Sequence, residues 1–213
     1  MARKRNIHRS LAIGLLFVIC ESTAGMIDSD GMAPWEICGM CHSADGISVM
    51  SKFPILAGQK APYLKSQILD FIAGGRLNDS GQMSSIVTEI EASDIDSIAE
   101  YFAGLPGPVT SLIVDSGVDE EVYQQGKALF EEGRSGVVAC RTCHNDGHST
   151  APRLQAQHAA YIRKQLNDFK HGRRVSKRAT AMTTIAKLLN EDEIASIAIY
   201  LHSSGSYEVN VTP

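Results

Sequence analysis

Cys38-Gly39-Met40-Cys41-His42 and Cys140-Arg141-Thr142-Cys143-His144 carry the same five-residue pattern in two parts of the chain. Residues three and four apart share one face of a helical turn. Two thiols and an imidazole therefore meet one edge and one axial side of a flat macrocycle. This is the pattern of c-type haem attachment, in which the thiols add to the vinyl groups and the histidine ligates iron. A zinc site made from the two cysteine pairs, or two disulfides, would leave a histidine after each pair unexplained. A thioredoxin-like motif needs a βαβ context, which is absent. The cofactors expected are two covalently bound haem c groups, on Cys38, Cys41, Cys140 and Cys143, with His42 and His144 on the iron.

Working outward, the repeat extends well past the motifs. Pro54, Leu56, Gln59, Tyr63, Gln67, Asp70, Phe71, Gly74 and Arg76 recur in constant register as Pro152, Leu154, Gln157, Tyr161, Gln165, Asp168, Phe169, Gly172 and Arg174. One inserted residue later, Met83, Ile95, Ile98, Ala99 and Tyr101 match Met182, Ile194, Ile197, Ala198 and Tyr200. The loop after the motif histidine is shorter in the second copy. Apolar spacing predicts helices over 61–73 and 159–171, each closed by a glycine, and over 94–103 and 192–202, with Ser93 and Asn190 as caps. No stretch alternates as a strand would. Gly104-Leu105-Pro106-Gly107-Pro108 marks the boundary. The domains expected are 25–104 and 121–213, joined by a linker at 105–120.

Residues 1–24 read as a secretory signal peptide: Arg3, Lys4, Arg5 and Arg9, the apolar run 11–20, then Ser22 and Ala24. The leader holds four of the 20 basic and one of the 24 acidic residues, leaving a mature net charge of −7 and four cysteines, all in the motifs. An acidic exported chain argues against a nucleic-acid partner. At 44% hydrophobic and 21% charged the chain is ordinary globular material, which excludes wholesale disorder.

A histidine on one side of iron leaves the other side to be explained. Met40 lies inside a motif, and Met50 is close in sequence to His42 and remains an alternative. Met83 and Met182 occupy matching positions, expected in loops, and are the axial candidates. His/Met ligation raises the reduction potential and favours electron transfer over substrate binding. Pro54 and Pro152 are placed for their carbonyls to accept the imidazole's other N–H. Arg76 and Arg174 are read either as partners of haem propionates or as solvated surface arginines. His148, His158, His171 and His202 read as surface residues, and Trp35 as packing at the haem edge or the domain surface.

With these residues the chain resembles the dihaem cytochrome c4 family: paired C-x-x-C-H, then P-x-L, Gln, Y-[LI]-x-x-Q and a later methionine, over almost all of the mature chain. The resemblance implies an all-α fold of two tandem class I cytochrome c-type haem domains related by a pseudo-twofold axis. It also implies a periplasmic electron carrier and not an enzyme, with His42, Met83, His144 and Met182 as axial ligands. The partners expected are a quinol–cytochrome c oxidoreductase and a terminal oxidase or reductase, with peripheral membrane association as an alternative to a free carrier. Competing readings are the cytochrome subunit of a dehydrogenase, such as a flavocytochrome that oxidises sulfide, and a dihaem oxidoreductase enzyme. Two departures stand out. The helix before Cys38 is expected to be stunted while the second copy keeps its own over 123–132, and Gln155-Ala156-Gln157 replaces Ala-Gly-Gln.

Charge divides unevenly. Residues 25–110 carry four basic and eleven acidic side chains, against twelve of each in 111–213. Arg163, Lys164, Lys170, Arg173, Arg174, Lys177 and Arg178 read either as a solvated face or as a strip that steers an acidic redox partner to the second haem.

Overall fold

A computed structural model describes Ile27 and residues 30–108 and 118–204. The leader, and the 109–117 part of the linker, lie outside the described residues. The first half contains α1 (Glu36–His42), α2 (Ala61–Ile72), α3 (Gln82–Ile86) and α4 (Ile95–Gly104). The second contains α5 (Glu120–Glu131), α6 (Ala159–Lys170), α7 (Thr180–Ala186) and α8 (Glu191–Ser203). No strand occurs among the described residues, only isolated bridges at Arg76–Arg174 and Arg134–Val137.

The repeat is visible in what each helix buries. Leu64, Ile68 and Phe71 form the inner stripe of α2, and Ile162, Leu166 and Phe169 take the same places on α6. Ile95, Ile98, Ala99 and Phe102 of α4 correspond to Ile194, Ile197, Ala198 and Leu201 of α8. Burying a large aliphatic or aromatic side chain contributes roughly 1.5–3 kcal/mol, so these stripes hold each half together. Pro62 opens α2 where a missing N–H costs nothing. Asn190 caps α8 in a reciprocal box with Glu193. At α4 the expected cap is displaced: Asp94, not Ser93, precedes the helix, and its side chain accepts no capping bond.

The halves differ at their N-terminal ends. In the second, α5 packs against α8, with Tyr123 and Phe130 set against Tyr200 at ring-centroid distances of 5.3 and 5.6 Å. In the first, no described helix precedes α1, and Trp35 stacks flat on Tyr101, the repeat partner of Tyr200, at 4.0 Å. Trp35 thus covers the C-terminal helix of its half, a role its sequence position did not disclose. Ala156, in the less matching stretch, adopts φ +57 where the first half has Gly58 at φ +65. The left-handed turn is kept because both residues send their N–H to the end of the C-terminal helix, Ala156 to Leu201 and Gly58 to Phe102.

The α5–α8 crossing depends on Gly126. A Cβ there would lie 2.0 Å from the Ser196 carbonyl oxygen, so the helices touch backbone to backbone. Gly126→Ala is expected to force them apart at a cost of ~1–3 kcal/mol. Thermal unfolding of the holoprotein followed by circular dichroism checks this, and an unchanged melting temperature would contradict the close approach.

Candidate functional site

Between the helices runs one mainly apolar cavity of about 750 Å³, lined from both halves. Its wall includes Cys38, Cys41, His42 and Met83 from the first half, and Cys140, Cys143, His144 and Met182 from the second. The first motif lies on α1; the second forms a tighter 3-10 turn, Cys140–Thr142, that ends before the histidine. None of the four motif cysteines is in a disulfide. Before haem attachment, burial pushes the Cys38 and Cys140 thiols up to about 11 each. No group of three or more His, Cys, Asp and Glu able to hold a metal ion occurs among the described residues.

Both motif histidines are held alike. His42 Nδ1 donates to the Pro54 carbonyl at 2.9 Å, and His144 Nδ1 to the Pro152 carbonyl at 2.9 Å. A carbonyl can only accept, so Nδ1 carries the hydrogen and Nε2 keeps a lone pair. Burial also pushes both imidazoles below their ordinary value, which favours the neutral form a metal ligand requires. Met83 and Met182 are not in loops as expected. Each sits at the start of a short helix, α3 and α7, that brings a half-buried thioether to the cavity.

Arg76 and Arg174 also line the cavity, and neither is a surface arginine: they are 6% and 7% exposed. Arg76 donates to Gln67 Oε1 (2.9 Å), Tyr161 Oη (2.8 Å), Gln165 Oε1 (3.3 Å) and Asn78 Oδ1 (3.2 Å). Arg174 donates to Gln165 Oε1 (3.0 Å), Tyr63 Oη (3.5 Å) and Gln67 Oε1. Each guanidinium also lies over a phenyl ring, Phe71 or Phe169, at about 4.5 Å. Burial alone would raise the Tyr161 phenol, yet Arg76 and Arg174 beside it hold it below its ordinary value. Two buried positive charges whose hydrogen bonds, among the described residues, all go to neutral oxygens suit an anionic cofactor edge. With unpaired thiols, neutral imidazoles and thioethers on an apolar wall, the site fits haem in both halves.

The arginines belong to a seam in which each half grips the other. Lys60 Nζ donates to the carbonyls of Asn145 (2.5 Å) and His148 (2.7 Å), in the loop after His144. His158, at the matching position in the second half, donates from Nε2 to the Ser48 carbonyl (2.8 Å), in the loop after His42. His158 is therefore a contact between halves, and His202, also half-buried, donates from Nδ1 to the Gln157 carbonyl at 3.0 Å. His148 and His171 are exposed, as expected.

Much of the basic strip is ion-paired. Lys164 and Arg173 pair with the buried Asp168 at 2.6 and 2.7 Å, Arg178 reaches Asp70 of the other half at 2.7 Å, and Lys170 pairs with Glu191 at 2.9 Å. Lys164, Arg173 and Arg178 nonetheless keep about half of their side-chain surface in water, and Arg163 and Lys177 are exposed beside them, so the strip stays on the surface with part of its charge paired.

Known proteins match this arrangement. A family model, Cytochrome c, matches residues 123–205. A cytochrome c4 of Pseudomonas aeruginosa is 38% identical over 179 residues, 80% of this chain and 85% of that protein. The chain belongs to the cytochrome c4 family. A solved structure of Acidithiobacillus ferrooxidans cytochrome c4 superposes with a TM-score of 0.68 at 29% identity, over 79% of this chain and 99% of that one. A Stutzerimonas stutzeri protein named thiosulfate dehydrogenase electron acceptor is 30% identical over 176 residues, 80% of each chain. As a cytochrome c4 relative the chain is an electron-transfer protein and not an enzyme, with two covalently bound haem c groups in a pair of helical domains.

Burial would raise the Asp168 carboxyl, but Lys164, Arg173 and Asn78 outweigh it and hold the group below its ordinary 3.8. Its ion pairs therefore stabilise the fold fully above that value, and lose their contribution as pH falls through the lower folded value. Asp168→Asn is expected to lower the melting temperature at pH 7 by a few degrees and to flatten its decline below about pH 4. Melts of the holoprotein between pH 7 and pH 2 test both effects.

Proposed function

We propose that the chain is an exported periplasmic carrier that takes electrons from a quinol-oxidising complex and delivers them to a terminal oxidase or reductase. Residues 1–24 act as the cleaved leader, 25–104 and 121–213 as the haem domains, and 105–120 as the linker. Cys38 with Cys41, and Cys140 with Cys143, attach the haems; His42 with Met83, and His144 with Met182, are the axial pairs. The observation that carries this reading is the matched placement of a proline-anchored neutral imidazole and a helix-borne methionine on the cavity wall in both halves.

When bound, haem iron supplies a one-electron couple. The chain supplies the rest. The Pro54 and Pro152 carbonyls fix the imidazole rings, the apolar wall excludes water, and Arg76 and Arg174 would offset the charge of the propionates. With His42 and Met83, and His144 and Met182, as the iron ligands, no coordination site would be left for a substrate.

The relative named as an electron acceptor of thiosulfate dehydrogenase favours a second reading, in which a periplasmic dehydrogenase is the electron donor. That reading changes the partner and leaves the site as described. Pre-steady-state reduction of the oxidised protein by each class of donor separates the two.

Optical spectra of the purified holoprotein should show two haems per chain, a methionine-to-iron charge-transfer band and no response to carbon monoxide. Met83→Ala and Met182→Ala should each remove about half of that band and open one centre to carbon monoxide. Carbon monoxide binding in the unaltered protein would overturn closed His/Met ligation.

A further inference from the structure

Each motif histidine hangs on a peptide group whose opposite end is held from the other half. The Pro54 carbonyl accepts from His42, and the N–H of that same peptide, belonging to Ile55, donates to Gln157 Oε1 at 2.9 Å. The Pro152 carbonyl accepts from His144, and the N–H of its peptide, belonging to Arg153, donates to Gln59 Oε1 at 2.9 Å. Each glutamine completes the pairing through Nε2, Gln157 to the Ile55 carbonyl at 3.0 Å and Gln59 to the Arg153 carbonyl at 2.9 Å. Each Oε1 also receives the next N–H of its own half, that of His158 or Lys60, at 3.0 Å. These donors and acceptors fix which way both amides point. Gln59 and Gln157 are 4% and 9% exposed, so water does not compete for the bonds.

A peptide group is one conjugated unit. An acceptor on its N–H draws the hydrogen outward and shifts electron density towards its carbonyl oxygen, strengthening the bond that oxygen accepts in turn. A stronger acceptor at Nδ1–H makes the imidazole a more basic ligand through Nε2. The chain of contacts is therefore Gln157, the Pro54–Ile55 peptide and His42 in one direction, and Gln59, the Pro152–Arg153 peptide and His144 in the other.

We propose that Gln157 and Gln59 are reciprocal positioning residues, each setting the orientation and basicity of the iron-ligating histidine in the opposite half, so that each haem's reduction potential is tuned from across the seam. The inference rests on His42 and His144 being the iron ligands. A more basic histidine favours ferric iron, so removing the glutamine raises the potential of the centre it reaches.

The test compares the holoprotein with Gln157→Met and Gln59→Met, which keep side-chain length and remove the amide. Spectroelectrochemistry reads both potentials, and paramagnetic NMR assigns each to its half. Gln157→Met should raise the first-half centre and leave the second within error, by about threefold in the reduced-to-oxidised ratio at fixed applied potential, or ~28 mV at 59 mV per tenfold. Gln59→Met should produce the mirror result, so either variant suffices if the other fails to fold. Glutamines that merely join the halves would move both centres together or neither, and either of those outcomes overturns the proposal. A His42→Ala holoprotein with unchanged spectra would instead sink the ligand reading, and this inference with it.

Discussion

An imidazole that must keep one nitrogen available for iron has to give its other hydrogen to something that does not move. Here that partner is a proline carbonyl, and most of the structure serves to keep it in place. The carbonyl belongs to a loop with little regular structure of its own. Gly46 ties that loop down in the first half by accepting the N–H groups of Leu56 and Ala57. The ends of α4 and α8 accept the N–H groups of Gly58 and Ala156 a few residues on. The opposite half closes the arrangement through a glutamine. Fixing a ligand through such outer contacts controls its orientation and basicity as much as the ligand's own identity does.

The seam follows from the same requirement. Two cavity walls packed against one another bury Arg76, Arg174, Lys60, Gln59 and Gln157, groups that would be costly to desolvate without partners. Their reciprocal bonds satisfy them, and the reciprocity is what a pseudo-twofold relation produces when both halves carry the same residues. Where the halves differ, the seam adapts. Lys60 and His158 are chemically unlike, yet each reaches backbone carbonyls in the loop after the other half's motif histidine. The same packing pairs Arg178 of the second half with Asp70 of the first, while Lys164 and Arg173 hold the buried Asp168 from the surface.

Much of this was legible in the sequence because it is written in local spacing. The two C-x-x-C-H motifs name the cofactor, the repeat pairs Met83 with Met182 and Pro54 with Pro152, and the apolar stripes of α2, α4, α6 and α8 follow helical period. Even the weak match at Gln155-Ala156-Gln157 leaves the backbone path unchanged, because the hydrogen bond to Leu201 holds Ala156 in a glycine-like conformation. Less legible was whatever depends on neighbours distant in the chain. Trp35 reads only as packing at the haem edge or the domain surface until Tyr101 lies beneath it, and the short helices that deliver the methionines carry too few residues to show a period.

The sequence by itself determined that two haem modules stand in tandem, that each is helical, and which thiols, imidazoles and thioethers are available. Those properties reside in residue identity and short-range spacing, which survive without knowledge of the fold. Only the tertiary structure decided that Arg76 and Arg174 are buried, that His158 bridges the halves, and that Gln59 and Gln157 hold the peptides on which the histidines hang. Those outcomes arise from pairing groups far apart in the chain, and no periodicity along either segment records which peptide will face it across the seam.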